Sequence, residues 1–280
     1  MKKGILLVVL AISFSITFAQ EKEAPKEGWS KKGHISLLLN QSAFNNWTAG
    51  GIDNIAGNLG LNYDFNYVKG DITWDNKIIA AYGVTKIDGG AQQKTDDRLE
   101  LNSLFGKKAN EFWFYSGFLN FKTQMDSGFD NATGIKTTHF LSPAYLQAGP
   151  GMLWKKSDNL KVNIAPATSR LIMVHNHFTE FGSSFGVEQG KTTRFEFGAS
   201  VAAYYKFNIM ENVSIENILT LYSNYLENPQ NIDIDYSMNL VLGVNKYLSA
   251  NISFQTIYDD NAFKGFQTRE VFGLGVNYGF

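Results

Sequence analysis

Cysteine is absent from this chain of 280 residues, so no disulfide, thiolate metal site or cysteine-linked lipid can form. No apolar run beyond residue 19 approaches the ~18 residues that mark a membrane-spanning helix. Charge of one sign is lacking as well. With Lys2 and Lys3 set aside, 23 basic residues face 26 acidic ones, which gives no argument for nucleic-acid binding. Proline is scarce, at five residues, while Gly, Asn and Ser are frequent and Phe, Tyr and Trp together number 40. That mixture suits many alternating strands joined by turns better than it suits helices.

Met1, Lys2 and Lys3 supply a positive start, and residues 4–18 are almost entirely apolar. Thr17-Phe18-Ala19 closes the run with small residues at both positions expected before a cleavage point. Residues 1–19 therefore read as a secretory signal peptide cut after Ala19. Residues 20–32, charged and containing Pro25 and Gly28, read as a short periplasmic lead-in, and 33–280 as a single β-barrel domain.

The end of the chain carries the strongest pattern. Phe272, Leu274, Val276, Tyr278 and Phe280 occupy every second position, with Val271, Gly273, Gly275, Asn277 and Gly279 between them. Period two is the signature of a strand with two different faces. The same alternation recurs upstream. Ile55, Leu59, Leu61, Tyr63 and Phe65 oppose Asn58, Asn62, Asp64 and Asn66; Phe195, Phe197, Val201, Tyr205 and Phe207 oppose Arg194, Glu196, Ser200 and Lys206. Further strands are expected at 33–41, 72–82, 98–107, 113–124, 144–154, 160–169, 213–226, 232–244 and 248–259, making twelve with the three just described. Several of these segments run 12 to 15 residues, longer than the ~5–6 common in soluble sandwiches and enough to cross a bilayer. Backbone groups facing lipid must all be paired, which forces the sheet to close. The fold class is an all-β, antiparallel transmembrane β-barrel of twelve strands.

Connector lengths orient it. Short turns are expected at 68–71, 108–111, 155–159, 208–212 and 245–247, and mostly longer connectors at 42–51, 85–97, 125–143, 175–191, 227–231 and 261–268. Periplasmic turns are short and extracellular loops long in such barrels, so both termini are expected on the periplasmic side of a Gram-negative outer membrane. The pattern is weakest between Pro143 and Val174. Carrying the outward phase on from Leu160, Val162 and Ile164 would place Arg170 in lipid, which a bulge near Pro166 or an earlier strand end avoids.

Several blocks of sequence carry a family resemblance: Asn40-Gln41-Ser42-Ala43-Phe44-Asn45-Asn46-Trp47, Lys94-Thr95-Asp96-Asp97-Arg98-Leu99-Glu100-Leu101-Asn102-Ser103 and Asn120-Phe121-Lys122-Thr123-Gln124. Leu141-Ser142-Pro143-Ala144-Tyr145 and the run from Ser223 through Asn228-Pro229-Gln230 to Asp233 extend it. In these the chain resembles the uncharacterised Bacteroidetes outer-membrane proteins of the DUF3078 family. The resemblance implies an outer-membrane barrel and supplies no activity.

The inward row holds Asp64, Asp75, Lys77, Glu100, Lys122, Lys161, Arg194, Glu196, Lys206, Glu216, Asp233, Asp235 and Asp259. Two readings follow from it: charges paired across neighbouring strands in a structural wall, or a hydrated channel whose charges bias small polar or ionic solutes. The eight acids against five bases lean an open path toward cations. Catalytic candidates are few. His175 and His177 with Glu180 resemble a His-His-carboxylate metal set, and Ser183 or Ser184 near His177 is the only hydrolase-like grouping; His34 and His139 have no evident partners. Surface-loop histidines are the default reading, so no catalytic, metal or cofactor site is assigned. Expected partners are outer-membrane lipid and lipopolysaccharide, the barrel assembly machinery and small polar solutes. Resemblance to other outer-membrane proteins makes terminal Phe280 the assembly signal.

Overall fold

Alternation of large apolar and small or polar residues leaves each strand one face for lipid and one for the interior, and the chain closes accordingly. The computed structural model describes residues 27–43, 52–130, 133–245 and 247–280; the expected export segment lies outside the described residues. Twelve antiparallel strands form one closed barrel: β1 (Gly28–Ser42), β2 (Asn54–Lys69), β3 (Ile72–Ile87), β4 (Gln93–Lys108), β5 (Trp113–Thr123), β8 (Ala144–Ser157), β9 (Leu160–Met173), β10 (Thr193–Met210), β11 (Val213–Asn224), β12 (Ile232–Gly243), β13 (Leu248–Asp259) and β14 (Phe263–Gly279). Each pairs with its neighbour in sequence, and β1 pairs with β14 to close the ring. A two-stranded hairpin, β6 (Gly128–Phe129) with β7 (Lys136–Thr138), and a single helical turn, α1 (Asn176–Thr179), lie in the two longest loops. Among the described residues no helix is long and apolar enough to cross a membrane.

At the turn end β1 and β14 close the ring. His34, Leu37 and Leu39 pair with Gly279, Val276 and Leu274, and Gly33 and Phe280 exchange backbone hydrogen bonds of 2.7 and 3.0 Å. The Phe280 ring lies across Gly33, where an added Cβ would sit 2.2 Å from its nearest ring carbon. It continues an aromatic ladder, with centroids 6.1 Å from Tyr63 and 5.9 Å from Tyr278.

The outer surface is apolar and, among the described residues, exposed. Phe272, Leu274, Val276 and Tyr278 are each more than half exposed, while Gly273 and Asn277 between them are buried. Ile35, Leu37, Leu59, Leu101, Leu119, Ile164 and Phe195 repeat this on other strands. A closed barrel with an exposed apolar belt is the form in which β-structure crosses a bilayer, and it places this protein in the outer membrane of a Gram-negative bacterium. Trp29 packs against Phe65, Tyr67 and Trp74 at the turn end, with centroids 5.2 to 6.4 Å apart, as an interfacial girdle.

Several boundaries differ from the expected ones, β8, β9 and β10 among them running on to Ser157, Met173 and Met210. β1 begins at Gly28, so 28–32 of the expected lead-in are strand and Trp29 joins the girdle. The connector expected at 85–97 shrinks, since β3 runs to Ile87 and β4 starts at Gln93; that at 261–268 shrinks likewise, since β14 starts at Phe263. In both loops backbone pairing continues above the bilayer, where side chains no longer need an apolar face.

The weak region resolves as a bulge. Between Thr168 and Ala165, β9 spends three residues where β10 spends two, Gly198 to Ser200. The Thr168 hydroxyl donates to the Ala165 carbonyl at 3.0 Å and closes the irregularity beside Pro166. One extra residue exchanges the faces of the strand. Ile164 therefore faces lipid, while Arg170 and Ile172 turn inward and are almost fully buried. Opposite the bulge, Gly198 admits no side chain, because an added Cβ would lie 1.8 Å from the Ser223 carbonyl oxygen of β11.

Candidate functional site

Inward positions on twelve strands converge on the lumen, and their charges meet across it. In the half nearer the turns, Asp75 of β3 accepts hydrogen bonds from Lys161 of β9 at 2.7 Å and Lys155 of β8 at 3.2 Å. Lys77, two residues along the same face, reaches Glu216 of β11 at 3.3 Å and Asp64 of β2 at 3.5 Å. In the barrel order β3 and β11 are six strands apart in either direction, so Lys77 and Glu216 come from opposite walls. Tyr204 donates its hydroxyl to Glu216 at 2.8 Å, and its ring lies 5.9 Å from the Lys77 ammonium and 5.4 Å from that of Lys161. Lys206 acts on Glu216 at longer range.

Midway, Lys122 of β5 bonds Asp235 of β12, again across the lumen, and Gln255 donates to the same carboxylate at 2.8 Å. Glu100 accepts from Arg98 at 2.9 Å, Asn102 at 2.8 Å and Asn120 at 3.3 Å.

Toward the loop end, Arg170 is surrounded by acids. It bonds Asp233 of β12 and, at 3.0 Å, Asp259 of β13, with Glu196 of β10 at 3.6 Å. The Tyr145 and Tyr222 rings lie 5.3 and 4.9 Å from the guanidinium carbon. Arg194 joins Glu196 at 2.8 Å, Glu227 at 3.0 Å and the Gly186 carbonyl at 3.0 Å, which ties the loop 174–192 to the wall. That loop folds back over the mouth: Val187 and Val174 are buried against Ile172, with Tyr145, Phe178 and Phe185 packed around them.

Twelve of the thirteen residues read as inward have hydrogen-bonded or ionic partners among the described residues, Lys206 acting only at longer range, and five further charged residues join these networks. Asp96 and Arg98 extend the face of Glu100 toward the loop end, Lys155 extends that of β8 toward the turns, and Arg269 belongs to the inward row of β14. Those four follow from carrying each alternation past its apolar stretch. Arg170 does not, because the bulge reverses its phase. Added to the thirteen they make nine bases and nine acids, and Lys94 with Asp97 at the outer cavity adds one of each, which removes the acidic excess of the shorter tally and with it the basis for a cation preference.

The loop candidates for chemistry do not converge. His175 accepts from the His177 backbone N–H at 3.2 Å as the cap of α1 and packs edge-on against His139, with centroids 5.2 Å apart. Among the described residues His175, His177 and Glu180 form no set of converging ligand atoms, and the Ser184 backbone exchanges hydrogen bonds with that of Val187. Asp233, Asp259 and Asp260 do bring three carboxylates within 4.8 Å, but Arg170 already bonds two of them. On the rim, Asp126 is held below the usual carboxylate range, first by the Tyr82 hydroxyl at 2.8 Å and then by the Ser127 N–H.

Beyond the Lys122–Asp235 crossing, a cavity of about 320 Å³ opens toward the loops. Lys94, Arg98, Lys122, Arg269, Asp96, Asp97, Gln124 and Gln255 are among its lining residues.

Comparison with known proteins gives a partial family match. Residues 39–129, about a third of the chain, match the family described as "Protein of unknown function (DUF3078)". That span covers the blocks around Lys94–Ser103 and Asn120–Gln124, and leaves those at Leu141 and Ser223 outside. No curated protein matches the chain. Among solved structures, an outer membrane channel from Pseudomonas putida F1 aligns over 94% of this chain and 99% of its own, at 10% identity and a TM-score of 0.42. The translocator domain of autotransporter NalP from Neisseria meningitidis covers 91% and 90%, at 9% identity and 0.36. The outer membrane channel DcaP of Acinetobacter baumannii covers 90% and 97%, at 11% identity and 0.32. At such identities and scores nothing of those proteins' roles transfers to this chain.

Proposed function

We propose that the protein is a narrow, non-catalytic channel for small polar or ionic solutes, closed in this conformation by its own side chains. One observation carries the reading: the lumen is spanned by ion pairs between opposite walls, Lys77 with Glu216 and Lys122 with Asp235, rather than filled by apolar residues. A barrel whose interior served only as filler would gain as much from well-packed hydrophobic side chains, because charged pairs carry a desolvation cost that offsets their attraction. Long, flexible side chains that meet end to end can part without disturbing a backbone hydrogen bond. Purified barrel in planar bilayers is expected to give discrete, low conductance; a well-folded sample giving none would remove the reading.

A surface-interaction role is the second reading, and the loops favour it. Phe129, Ile135 and Phe140 around the β6–β7 hairpin are each more than half exposed, and Phe181 is 87% exposed.

Under either reading Phe280 serves as the signal for the barrel assembly machinery, with outer-membrane lipid and lipopolysaccharide around the finished barrel. Its exposed ring at the seam is the support for this. Phe280→Ser is expected to lower the heat-modifiable, folded fraction in membranes at native expression, and an unchanged fraction would count against the assignment.

A further inference from the structure

The outer cavity has a surplus of hydrogen-bond donors. Both oxygens of each of its two lining acids already accept a hydrogen bond. Asp96 accepts from Arg269 on one oxygen and from the Asn58 amide at 3.0 Å on the other. Asp97 accepts from the Met125 N–H at 2.7 Å, the Lys94 ammonium at 2.6 Å and the Asp126 N–H at 2.9 Å. The lining cations are not saturated. Arg98 directs Nε and Nη2 at a single oxygen of Glu100, and among the described residues its Nη1 bonds nothing. Arg269 commits Nη1 alone, leaving Nε and Nη2 without a partner among the described residues. Lys122, bonded to Asp235, sits at the floor.

A guanidinium presents five donors in a fixed fork suited to two oxygens of one carboxylate or phosphate. Two guanidiniums with spare donors, beside carboxylates that already accept from neighbouring groups, favour an added acceptor that bears negative charge. The volume of about 320 Å³ is at the small end of ligand sites. Arg98 and Arg269 are 15% and 29% exposed, so an anion reaching them would be partly desolvated and its charge-assisted bonds correspondingly strong.

We infer that this cavity is a binding site for a small solute carrying a carboxylate or phosphate group, gripped by Arg98 and Arg269 above the Lys122–Asp235 crossing. The inference deepens the channel reading by naming the class of solute that pauses at its outer end, and it rests on that reading for the solute's onward path.

Isothermal titration of the full-length barrel, folded in detergent at fixed ionic strength, tests it with inorganic phosphate and with succinate as separate probes. Binding of either near one per barrel is expected, and the stronger of the two identifies the oxyanion preferred. Arg269→Gln should weaken that binding about tenfold or more, as loss of a charge-assisted contact does. Arg269→Lys keeps the charge beside Asp96 while removing the fork, so it should fold normally and still lose part of the affinity. Lys191→Gln, on an exposed loop, should leave binding unchanged. Absence of binding for both probes, or binding indifferent to Arg269→Gln and Arg98→Gln in heat-modifiable samples, overturns the site. Because titration does not require an open path, a barrel that binds but never conducts keeps the site and removes the channel. A barrel that conducts but binds neither anion does the reverse.

Discussion

Arg170→Met is expected to cost the barrel about 3–5 kcal/mol, the scale for removing one partner of a buried charge cluster. Arg170 is 6% exposed and faces Asp233, Asp259 and Glu196; without it three acids remain with only Arg194 close by. Methionine fills a similar volume between Tyr145 and Tyr222, so the loss reports charge rather than a cavity. The unfolding temperature of the heat-modifiable band is the readout. Adding Asp233→Asn should restore part of the loss, since the two residues share one network and their effects are not additive. Wild-type stability in the single variant would show that the cluster does not hold the loop end together. The site would then be wet and loosely joined, whatever its distances.

The second large effect is on current. Glu216→Gln removes the charge that draws Lys77 across the lumen, and leaves Lys77 with Asp64 on its own side of the barrel at 3.5 Å. The glutamine keeps the shape and can still accept from Tyr204, so the wall itself should stand. A hydrogen bond to a charged group contributes roughly 1.5–3 kcal/mol, which converts to about tenfold or more in open probability if this pair is the closure. The sign of any selectivity change is fixed as well. An interior in which bases and acids balance should pass cations and anions nearly alike, and loss of one acid should tilt it slightly toward anions. Glu196 behaves differently. It is 1% exposed and held by Arg170 and Arg194 away from the crossing pairs, so Glu196→Gln should lower stability and leave selectivity in place.

Much of this was legible in the chain itself. Period-two alternation fixes which face of β14 meets lipid, and Phe272, Leu274, Val276, Tyr278 and Phe280 emerge exposed as that phase requires. The same phase put Lys77, Glu216, Lys122 and Asp235 inside. It could not say that they meet, because contact across a lumen depends on closure and cross-section rather than on spacing along a strand. Neighbouring-strand pairing was the natural expectation, and Lys77 with Asp64 follows it; the structure adds pairs between walls five or six strands apart. Arg170 escaped for a different reason. Pro166 signalled an irregularity, but only the three-against-two count opposite β10 shows that one extra residue turns the side chain inward. Strand ends were misjudged where, as at Gln93 and Phe263, backbone pairing outlasts the apolar pattern above the bilayer. The inward fold of the loop 174–192 leaves no periodic trace, since Val187 and Phe185 are held by packing rather than by register.

Single-channel recording of the wild type beside Glu216→Gln, both refolded and heat-modifiable and both under a salt gradient, tests the central claim most directly. Brief, low-conductance openings with a reversal potential near zero are predicted for the wild type. Longer openings with a small shift toward anions are predicted for the variant. Silence from both proteins, or openings that the substitution leaves unchanged in duration and selectivity, would contradict a lumen closed by side chains reaching across it.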